Sequence, residues 1–331
     1  MSRSIAVTEH WKDLASRVVA GLLLFAVFIL AGCDIPTGRR SASEGDRAGT
    51  AVATARVEPP ATTVTVPEPE PVVARVVTFA EADSAYRDGR YDEATELFGS
   101  YVESKPENPW GYYMLGLSAW KSRDHAKAEE AFERSLALDP THVKSYLNLA
   151  RVLLETDRAA DALARVDSAL GFDSVSNVAY RLRGRAFAAL DRTDDAISAY
   201  REAITLDEHD TWSMNNLGVL YLDLGWAEEA LYPLARAVSL DSTRVVFLNN
   251  LGMALEHTGH WSQAAEVYRR ALGVDSTYAK AVANLARVDG RPDDPFLEPV
   301  DLAAIAQEFS DWIGGWRRTD VTVVPSEPPI R

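Results

Sequence analysis

Two histidines and several pairs of acidic residues are the side chains in this sequence whose types could support metal binding or acid–base chemistry. His257 and His260 form a His-x-x-His pair, but a zinc site needs at least one further convergent ligand. Acid pairs such as Glu129-Glu130 are typical of solvated helix faces rather than of general acids and bases. The sequence has no glycine-rich phosphate loop and no Gly-x-Ser-x-Gly motif. We therefore predict no catalytic residue, no metal, no cofactor and no small-molecule substrate, and a protein that is not an enzyme.

Charge and composition limit the remaining classes of function. The 331 residues include 34 Lys and Arg against 49 Asp and Glu, which gives a formal net charge of −15. Such an acidic chain gains nothing from counterion release, and this argues against nucleic-acid binding. Hydrophobic residues make up 47% of the chain and charged residues 25%, a balance that is typical of sequences that fold around a core.

The single cysteine, Cys33, follows an apolar segment near the N-terminus. Residues 18–30 carry no charge and are preceded by basic residues, which is the pattern of a secretory signal peptide. The segment is shorter than the roughly 20 apolar residues that a membrane-spanning helix needs. Leu30-Ala31-Gly32-Cys33 resembles the lipobox of bacterial lipoproteins. The alternative is an uncleaved signal anchor in which Cys33 is incidental.

The lipobox resemblance implies a signal peptide at 1–32, cleavage after Gly32 and attachment of acyl chains such as palmitate to Cys33. Two or more acyl chains hold a folded domain stably on a bilayer. The resemblance thus implies anchoring to a membrane of the bacterial cell envelope, on its periplasmic or extracytoplasmic side, with the inner and outer membranes both open. Residues 33–74 are rich in Pro, Ala and Thr and are predicted to form a flexible linker, because they bury too little apolar surface to fold.

A repeat of 34 residues occupies the chain from Arg75 onward. With starts at 75, 109, 143, 177, 211, 245 and 279, position 20 is alanine in all six complete repeats. Position 8 is alanine or glycine, and position 24 carries a ring or a branched apolar side chain. The apolar residues recur at helical spacing in each half of the repeat. Each repeat is therefore predicted to form two helices, whose small residues allow close approach.

This pattern resembles the tetratricopeptide repeat (TPR) over residues 75–288, as six repeats and a final single helix. The resemblance implies an all-α solenoid, a right-handed superhelix of antiparallel helix pairs, preceded by the signal peptide and the disordered linker. Gly225 and Gly259 are predicted to form turns inside repeats. The residues predicted to cap helices are Thr141, Asn177, Thr211, Ser242 or Thr243, and Ser276 or Thr277.

Residues 289–331 follow the last repeat as a C-terminal tail. Apolar residues at near-helical spacing predict a helix at 299–313. We expect this helix to cap the final repeat, since the end of a solenoid needs a polar cover. The alternative is that it docks in the groove or on a partner.

The TPR resemblance also implies a concave groove that is lined by the first helix of every repeat and binds peptides or partner proteins. Positions 2, 5, 9 and 12 would face this groove, and position 6 would border it. The candidate groove residues are Phe79, Tyr86, Trp110, Tyr113, Leu117 and Trp120 at one end, Lys144, Arg151, Arg181 and Arg185 in the middle, Trp212, Asn215, Asn249 and Arg287 towards the other end, and Asn148, Asn216, Asn250 and Asn284 at position 6.

Each class of candidate groove residue could bind a partner, or could instead have a structural role within the repeats. Aromatic side chains suit binding hot spots, or else pack within the first repeats. Arginines pair with acidic side chains or a C-terminal carboxylate of a partner, or else with acids of the repeats themselves. Asparagines bond the backbone of an extended peptide, or else bridge adjacent helices.

We therefore expect a membrane-anchored protein–protein interaction scaffold of the bacterial cell envelope, whose groove binds an extended or partly acidic segment of a protein partner. One alternative is a pilotin-like assembly factor for a secretion or pilus pore. Another is an accessory regulator of a cell-wall enzyme. The resemblance of folds alone does not choose between these functions.

Overall fold

A computed structural model of the chain describes residues 76–319, which form fourteen α-helices and no strand over that range. The predicted signal peptide at 1–32, the lipidation site Cys33 and the linker at 33–74 lie outside the described residues. Within the described range, no helix combines the length and the apolar character that crossing a membrane requires.

The helices follow the predicted period of the sequence. They are α1 Phe79–Arg87, α2 Tyr91–Ser104, α3 Pro109–Lys121, α4 His125–Leu138, α5 Val143–Glu155, α6 Ala159–Phe172, α7 Asn177–Ala189, α8 Thr193–Leu206, α9 Thr211–Asp223, α10 Ala227–Leu240, α11 Val245–His257, α12 Trp261–Val274, α13 Ala279–Val288 and α14 Leu302–Thr319. Each helix from α1 to α12 packs against the next along the chain, and every odd-numbered helix up to α11 also contacts the next odd-numbered one. The first helices of the repeats therefore form one continuous row from α1 to α13.

Small residues bring the two helices of each repeat together. The six position-20 alanines, such as Ala196 and Ala230, are fully buried. A Cβ atom added at Gly184 would lie 2.6 Å from the ring of Tyr200, and one at Gly252 would lie 2.5 Å from the ring of Tyr268. Because non-bonded carbons do not approach so closely, only glycine fits beneath these rings. The position-24 side chain fills the space that the missing Cβ leaves.

The turn inside each repeat requires a left-handed residue at position 15. Gly225 and Gly259 adopt φ of 78° and 87°, as expected for glycine. The same conformation is held by Arg123, Asp157 and Asp191 in the second, third and fourth repeats. The turn is therefore imposed by the packing of the helix pair, and glycine is favoured there but not required.

The helix caps differ from all the predicted positions. The cap residues of α5, α11 and α13 are His142, Arg244 and Tyr278, each one or two residues after the predicted one. Asn177 and Thr211 are the first helical residues of α7 and α9, and the caps are the residues before them. The Ser176 hydroxyl accepts from the N–H of Ala179, and the Asp210 carboxylate accepts from the N–H of Ser213. Both Ser and Asp are good caps.

The C-terminal helix α14 starts and ends later than the predicted range 299–313 and does not cover the last repeat. It packs against α10 and α8, with no contact to α13. Phe309 and Ile313 are buried there, and the Trp312 ring stacks on Tyr232 with 4.3 Å between centroids. Tyr232 occupies a position that is Glu96, Glu130 or Glu266 in other repeats. An apolar patch on the second helix of the fifth repeat therefore determines where the tail docks.

Replacing Gly252 with alanine tests the close approach of α11 and α12. The added Cβ would meet the fully buried Tyr268 ring, so we expect a loss of roughly 1–3 kcal/mol in the free energy of unfolding. Gly99→Ala is the matched control, because Gly99 lies within α2 with open space around its Cα, and alanine there should add up to about 1 kcal/mol. Urea denaturation measures both changes. Equal midpoints for the two variants would contradict the packing described here.

Candidate protein-binding groove

The row of first helices presents the predicted groove residues on one continuous surface. At its N-terminal end, Trp110 remains 42% exposed and lies against Tyr113, with 4.9 Å between ring centroids. Tyr113 itself is buried, and Phe79 packs edge-on against Phe98. The Trp120 indole donates a hydrogen bond to Glu155 at 2.9 Å. Several of the predicted aromatic residues therefore also hold neighbouring helices together.

The remaining aromatic and basic candidates at positions 2, 9 and 12 stay at least partly accessible. Tyr86 and Leu117 are half-buried. Lys144 is exposed and lies over the Trp110 ring, 6.0 Å from its centroid. Trp212 is exposed on one side and packs edge-on against Phe247 at 5.0 Å on the other. The groove thus keeps accessible aromatic surface at Trp110 and Trp212, and an exposed cation at Lys144.

The asparagines at the far end of the row bridge adjacent first helices. Asn250 donates to Asn215 at 2.9 Å, and Asn284 donates to Asn249 at 3.0 Å. Asn249 donates in turn to the Asn250 carbonyl oxygen at 3.3 Å. Each of the two interhelical bonds joins position 5 of one repeat to position 6 of the next. Of the two roles open to these amides, the structure shows the bridging one.

Asn148 and Arg287 take part in similar bridges. Asn148 donates to the Tyr113 hydroxyl at 3.3 Å. Arg287 donates to both oxygens of Glu256, at 2.5 and 2.7 Å, and also to Asn284. Burial opposes ionisation of Glu256, but the hydrogen bonds from Arg287 and Tyr268 together lower its pKa. These polar groups therefore mainly bond adjacent repeats to each other.

The three predicted arginines in the middle of the groove divide into one that forms an ion pair and two that do not. Arg181 donates to Asp210 at 2.6 Å, and this carboxylate is almost fully buried. Arg151 donates to the Asn148 side-chain oxygen at 2.6 Å. Within residues 76–319, neither Arg151 nor Arg185 has a carboxylate at ion-pair distance. Both are half-buried on the first helices α5 and α7, so two cations without an ion pair lie in the middle of the groove, and Glu155 is the carboxylate whose charge acts on Arg151.

An open cavity of about 280 Å³ lies beside Arg185. It is lined by apolar groups that include Leu154, Ala188 and Val219, and by the polar residues Asn216, Tyr200 and Asp223. Tyr200 belongs to the second helix α8 and was not predicted as a groove residue. Its ring passes over Gly184, which has no side chain to block it. Glycine at position 8 combined with tyrosine at position 24 is the sequence signal that identifies such a residue.

The histidine pair found in the sequence does not form a metal site. Within the described part of the chain, no group of three or more potential ligands converges. His260 is buried and bonds the Thr258 hydroxyl at 2.8 Å through Nδ1 and the Glu298 carbonyl at 3.1 Å through Nε2. It thereby fixes the segment between α13 and α14.

Comparison with known protein families agrees with this architecture. A tetratricopeptide repeat profile matches residues 79–143, 113–177, 147–211 and 181–245, and a second profile with the same description matches residues 248–281. The chain belongs to the tetratricopeptide repeat family. A search of curated proteins finds no match to this TPR protein.

Solved structures show the same TPR fold. PilW, described as a widely conserved type IV pilus biogenesis factor, superposes with a TM-score of 0.56 at 17% identity, over 62% of this chain and 94% of its own. A tetratricopeptide repeat protein from Parabacteroides merdae gives 0.55 at 14% identity, over 62% and 81%. The APC/C hetero-tetramer Cut9-Hcn1 gives 0.56 at 17% identity, over 71% and 46%. At these identities the likeness shows the fold alone.

Electrostatic repulsion distinguishes the middle of this TPR groove from its two ends. Burial lowers the pKa of Arg151, the nearby charges of Arg181 and Arg185 lower it further, and Tyr113 and Glu155 act in the opposite direction. Burial also raises the pKa of Tyr200, whose hydroxyl therefore stays protonated and able to donate. An anion placed here would relieve the repulsion and accept hydrogen bonds from the guanidinium groups.

The paired and unpaired arginines should differ in their contribution to stability. Arg181→Met leaves the buried Asp210 carboxylate without its cation, so we expect a loss of about 3 kcal/mol in the free energy of unfolding. Arg151→Met removes a hydrogen bond to Asn148 but also removes repulsion, so the change should stay within about 1 kcal/mol. Urea denaturation of both variants measures the difference. An Arg151→Met variant as unstable as Arg181→Met would show that Arg151 is structural.

Proposed function

We propose that this TPR protein is a lipid-anchored scaffold of a bacterial cell envelope, which binds an extended acidic segment of a partner protein in its groove. The observation that carries the proposal is the unpaired Arg151 and Arg185 in a chain whose net charge is −15. Acidic residues outnumber basic ones, yet none within the described range pairs with these two. Uncompensated buried charge costs stability, and binding an anionic partner offsets that cost.

The chemistry of the groove favours carboxylates as the ligand. Guanidinium groups bind carboxylates through two parallel hydrogen bonds, and half-burial strengthens such pairs relative to exposed ones. Tyr200 adds a hydroxyl donor, and Asn216 adds an amide at the cavity edge. Leu154, Ala188 and Val219 provide apolar surface for the rest of a bound chain.

The spacing of the two arginines favours an extended chain. Arg151 and Arg185 occupy the same position of consecutive repeats, on helices α5 and α7, which contact each other. Packed helices lie about 8–10 Å apart, whereas an extended chain advances about 3.3 Å per residue. Acidic side chains two or three residues apart would therefore reach both guanidinium groups together. We expect Glu-x-Glu or Glu-x-x-Glu in the bound segment.

Anchoring through Cys33 is the second part of the proposal. It is supported by the sequence alone, namely the uncharged residues 18–30 followed by Leu30-Ala31-Gly32-Cys33. Acyl chains on Cys33 would tether the solenoid to the membrane surface through residues 34–75, and a surface-bound scaffold concentrates its partners there.

Assembly of a pilus or secretion pore is a narrower candidate, and its support is the fold likeness to PilW. Regulation of a cell-wall enzyme is the other candidate, and no contact of the described residues favours it. Identification of the cross-linked partner separates all three.

Photo-cross-linking in the native membrane tests the groove. A photoreactive residue replaces Val219 in the cavity wall, and cross-linked peptides are identified by mass spectrometry. We expect a partner peptide with acidic residues two or three positions apart, and a fall of about tenfold or more in its yield when Arg151→Glu and Arg185→Glu are combined. The matched control combines Lys127→Glu and Arg270→Glu, two exposed cations on the second helices, and should keep the wild-type yield.

An unchanged cross-link in the Arg151→Glu and Arg185→Glu variant would overturn the groove proposal. The same preparation examines the anchor, because Cys33→Ser should move the protein from the membrane pellet to the soluble fraction. A Cys33→Ser protein that stays in the pellet would overturn the lipid anchor but leave the groove proposal standing.

A further inference from the structure

We infer that the outer face of α13 is a docking site for an acidic, amphipathic helix of a partner protein. This terminal face is defined by Val282, Ala283 and Ala286. The partner helix takes the place of the second helix that the incomplete seventh repeat lacks. The inference does not use the arginines of the groove, so it stands or falls separately from the proposed function.

The terminal face consists of core positions that are left uncovered. Position 8 is buried in all six complete repeats and exposed at Ala286. Position 5 is buried or half-buried in the six complete repeats and exposed at Ala283. Val282, at position 4, is 47% exposed, whereas Met214 and Leu248 at the same position are buried. At α13 the side of the helix that forms the core of the earlier repeats therefore faces solvent.

The described part of the chain turns away from the terminal face after α13. Among the described helices, α13 contacts only α11 and α12. Asp293 accepts a hydrogen bond from the N–H of Ser262 at 2.9 Å, and the N–H of Val300 donates to the Gln263 side-chain oxygen at 2.8 Å. These bonds hold the connection to α14 against the start of α12, and α14 packs on α8 and α10. The helix that follows α13 in the chain is therefore bound to a different part of the solenoid.

The terminal face fits a helix that carries a large apolar side chain. In four of the complete repeats, the glycine at position 8 lies against the position-24 side chain of the second helix. Where position 8 is alanine, as at Ala82 and Ala150, the position-24 side chains Phe98 and Val166 are fully buried. An aromatic or branched apolar residue of the partner helix would pack on Ala286 in the same way.

The cations beside the terminal face favour acidic residues in the partner helix. Lys280 is exposed and has no carboxylate at ion-pair distance within residues 76–319. The side chain of Arg287 remains 50% exposed beside its ion pair with Glu256. The acid closest to them in the sequence, Asp289, is already paired with Arg269. Because Lys280 and Arg287 are two helical turns apart, they lie on one flank of α13. Acidic residues along one side of the partner helix would therefore pair with both.

The same two cations disfavour a second copy of this chain as the occupant. In an antiparallel two-fold pair of α13 helices, each flank meets the same flank of the other copy. Lys280 of one copy would then lie near Arg287 of the other, and like charges at such a distance repel. A helix with acids in these places meets no such repulsion, so we commit to a partner of that chemistry.

A peptide with the sequence of α2, Tyr91–Ser104, is a defined probe for the terminal face. It carries four acidic residues and no basic one, together with Phe98 at position 24. The peptide is stapled on its polar side to keep it helical, and fluorescence anisotropy measures its binding to the purified full-length protein. We expect saturable binding that weakens about tenfold when the peptide carries Phe98→Ala or the protein carries Val282→Asp.

Val175→Asp is the matched control for Val282→Asp. Val175 is a valine that is 69% exposed between α6 and α7, so the same charge is added at another exposed place. This variant should keep the wild-type affinity for the peptide. Urea denaturation should show that both variants are folded, because both substitutions lie at exposed positions.

Cross-linking from position 283 identifies the occupant. A photoreactive residue replaces Ala283 in the full-length chain, and isotopically light and heavy chains are mixed so that links within and between chains are distinguished. We expect links to the added peptide. Links between two copies, or links within one chain to residues outside 76–319, that persist at saturating peptide would overturn the partner helix as the occupant. No saturable binding, or equal affinities of the wild type and Val282→Asp, would overturn the docking site itself.

Discussion

The contact between a small residue at position 8 and a large side chain at position 24 is the constraint on which the rest of this structure depends. At Gly184 and Gly252 the ring of the opposite helix occupies the volume that a Cβ would need. This contact sets the distance within a helix pair, and its repetition every 34 residues stacks the pairs in register. A row of first helices with a fixed spacing is the direct consequence.

The spacing between neighbouring first helices determines which polar groups bond to each other and which remain available to bind a partner. Where position 5 of one repeat meets position 6 of the next, Asn215 and Asn250 bond each other, and so do Asn249 and Asn284. Arg181 reaches the Asp210 carboxylate at the start of α9. Position 9 lies one turn further along the helix, and the arginine there in the fourth repeat, together with Arg181, lowers the pKa of the one there in the third. The groove therefore stores electrostatic repulsion at one place, while the rest of its polar lining is satisfied internally.

The periodic features of this fold could be predicted from the sequence, whereas the pairwise contacts could not. The alanines at position 20 and the glycines at position 8 gave the register, the helix pairs and the fold class, because small residues at helical spacing have few other uses in a repeat. An asparagine at position 6 can either bridge two adjacent helices or bind a peptide. Which of the two it does depends on the distance between adjacent repeats, and the sequence does not give that distance. Tyr200 was missed because its helix belongs to the opposite face of the stack.

The contacts of the C-terminal tail could not be predicted from the sequence either. Its apolar spacing predicted a helix, but the expectation that it would cover α13 was wrong, because the apolar surface that attracts it is on α10. Tyr232 is the one large aromatic residue at a repeat position that otherwise holds Glu, Ala or Ser, and this exception marks the surface on which α14 docks. Departures from a repeat pattern carry the information that is specific to one protein.

Thermal unfolding in sulfate tests most directly whether the middle of the groove is an anion site built by this stack. The full-length wild type and the combined variant Arg151→Met with Arg185→Met would be melted in increasing sulfate, with chloride at matched ionic strength as the reference. Binding to the folded state raises the unfolding temperature, so the account predicts a steeper rise for the wild type than for the variant, which keeps only the general effect of sulfate on folded proteins. Equal slopes for the two proteins would contradict it.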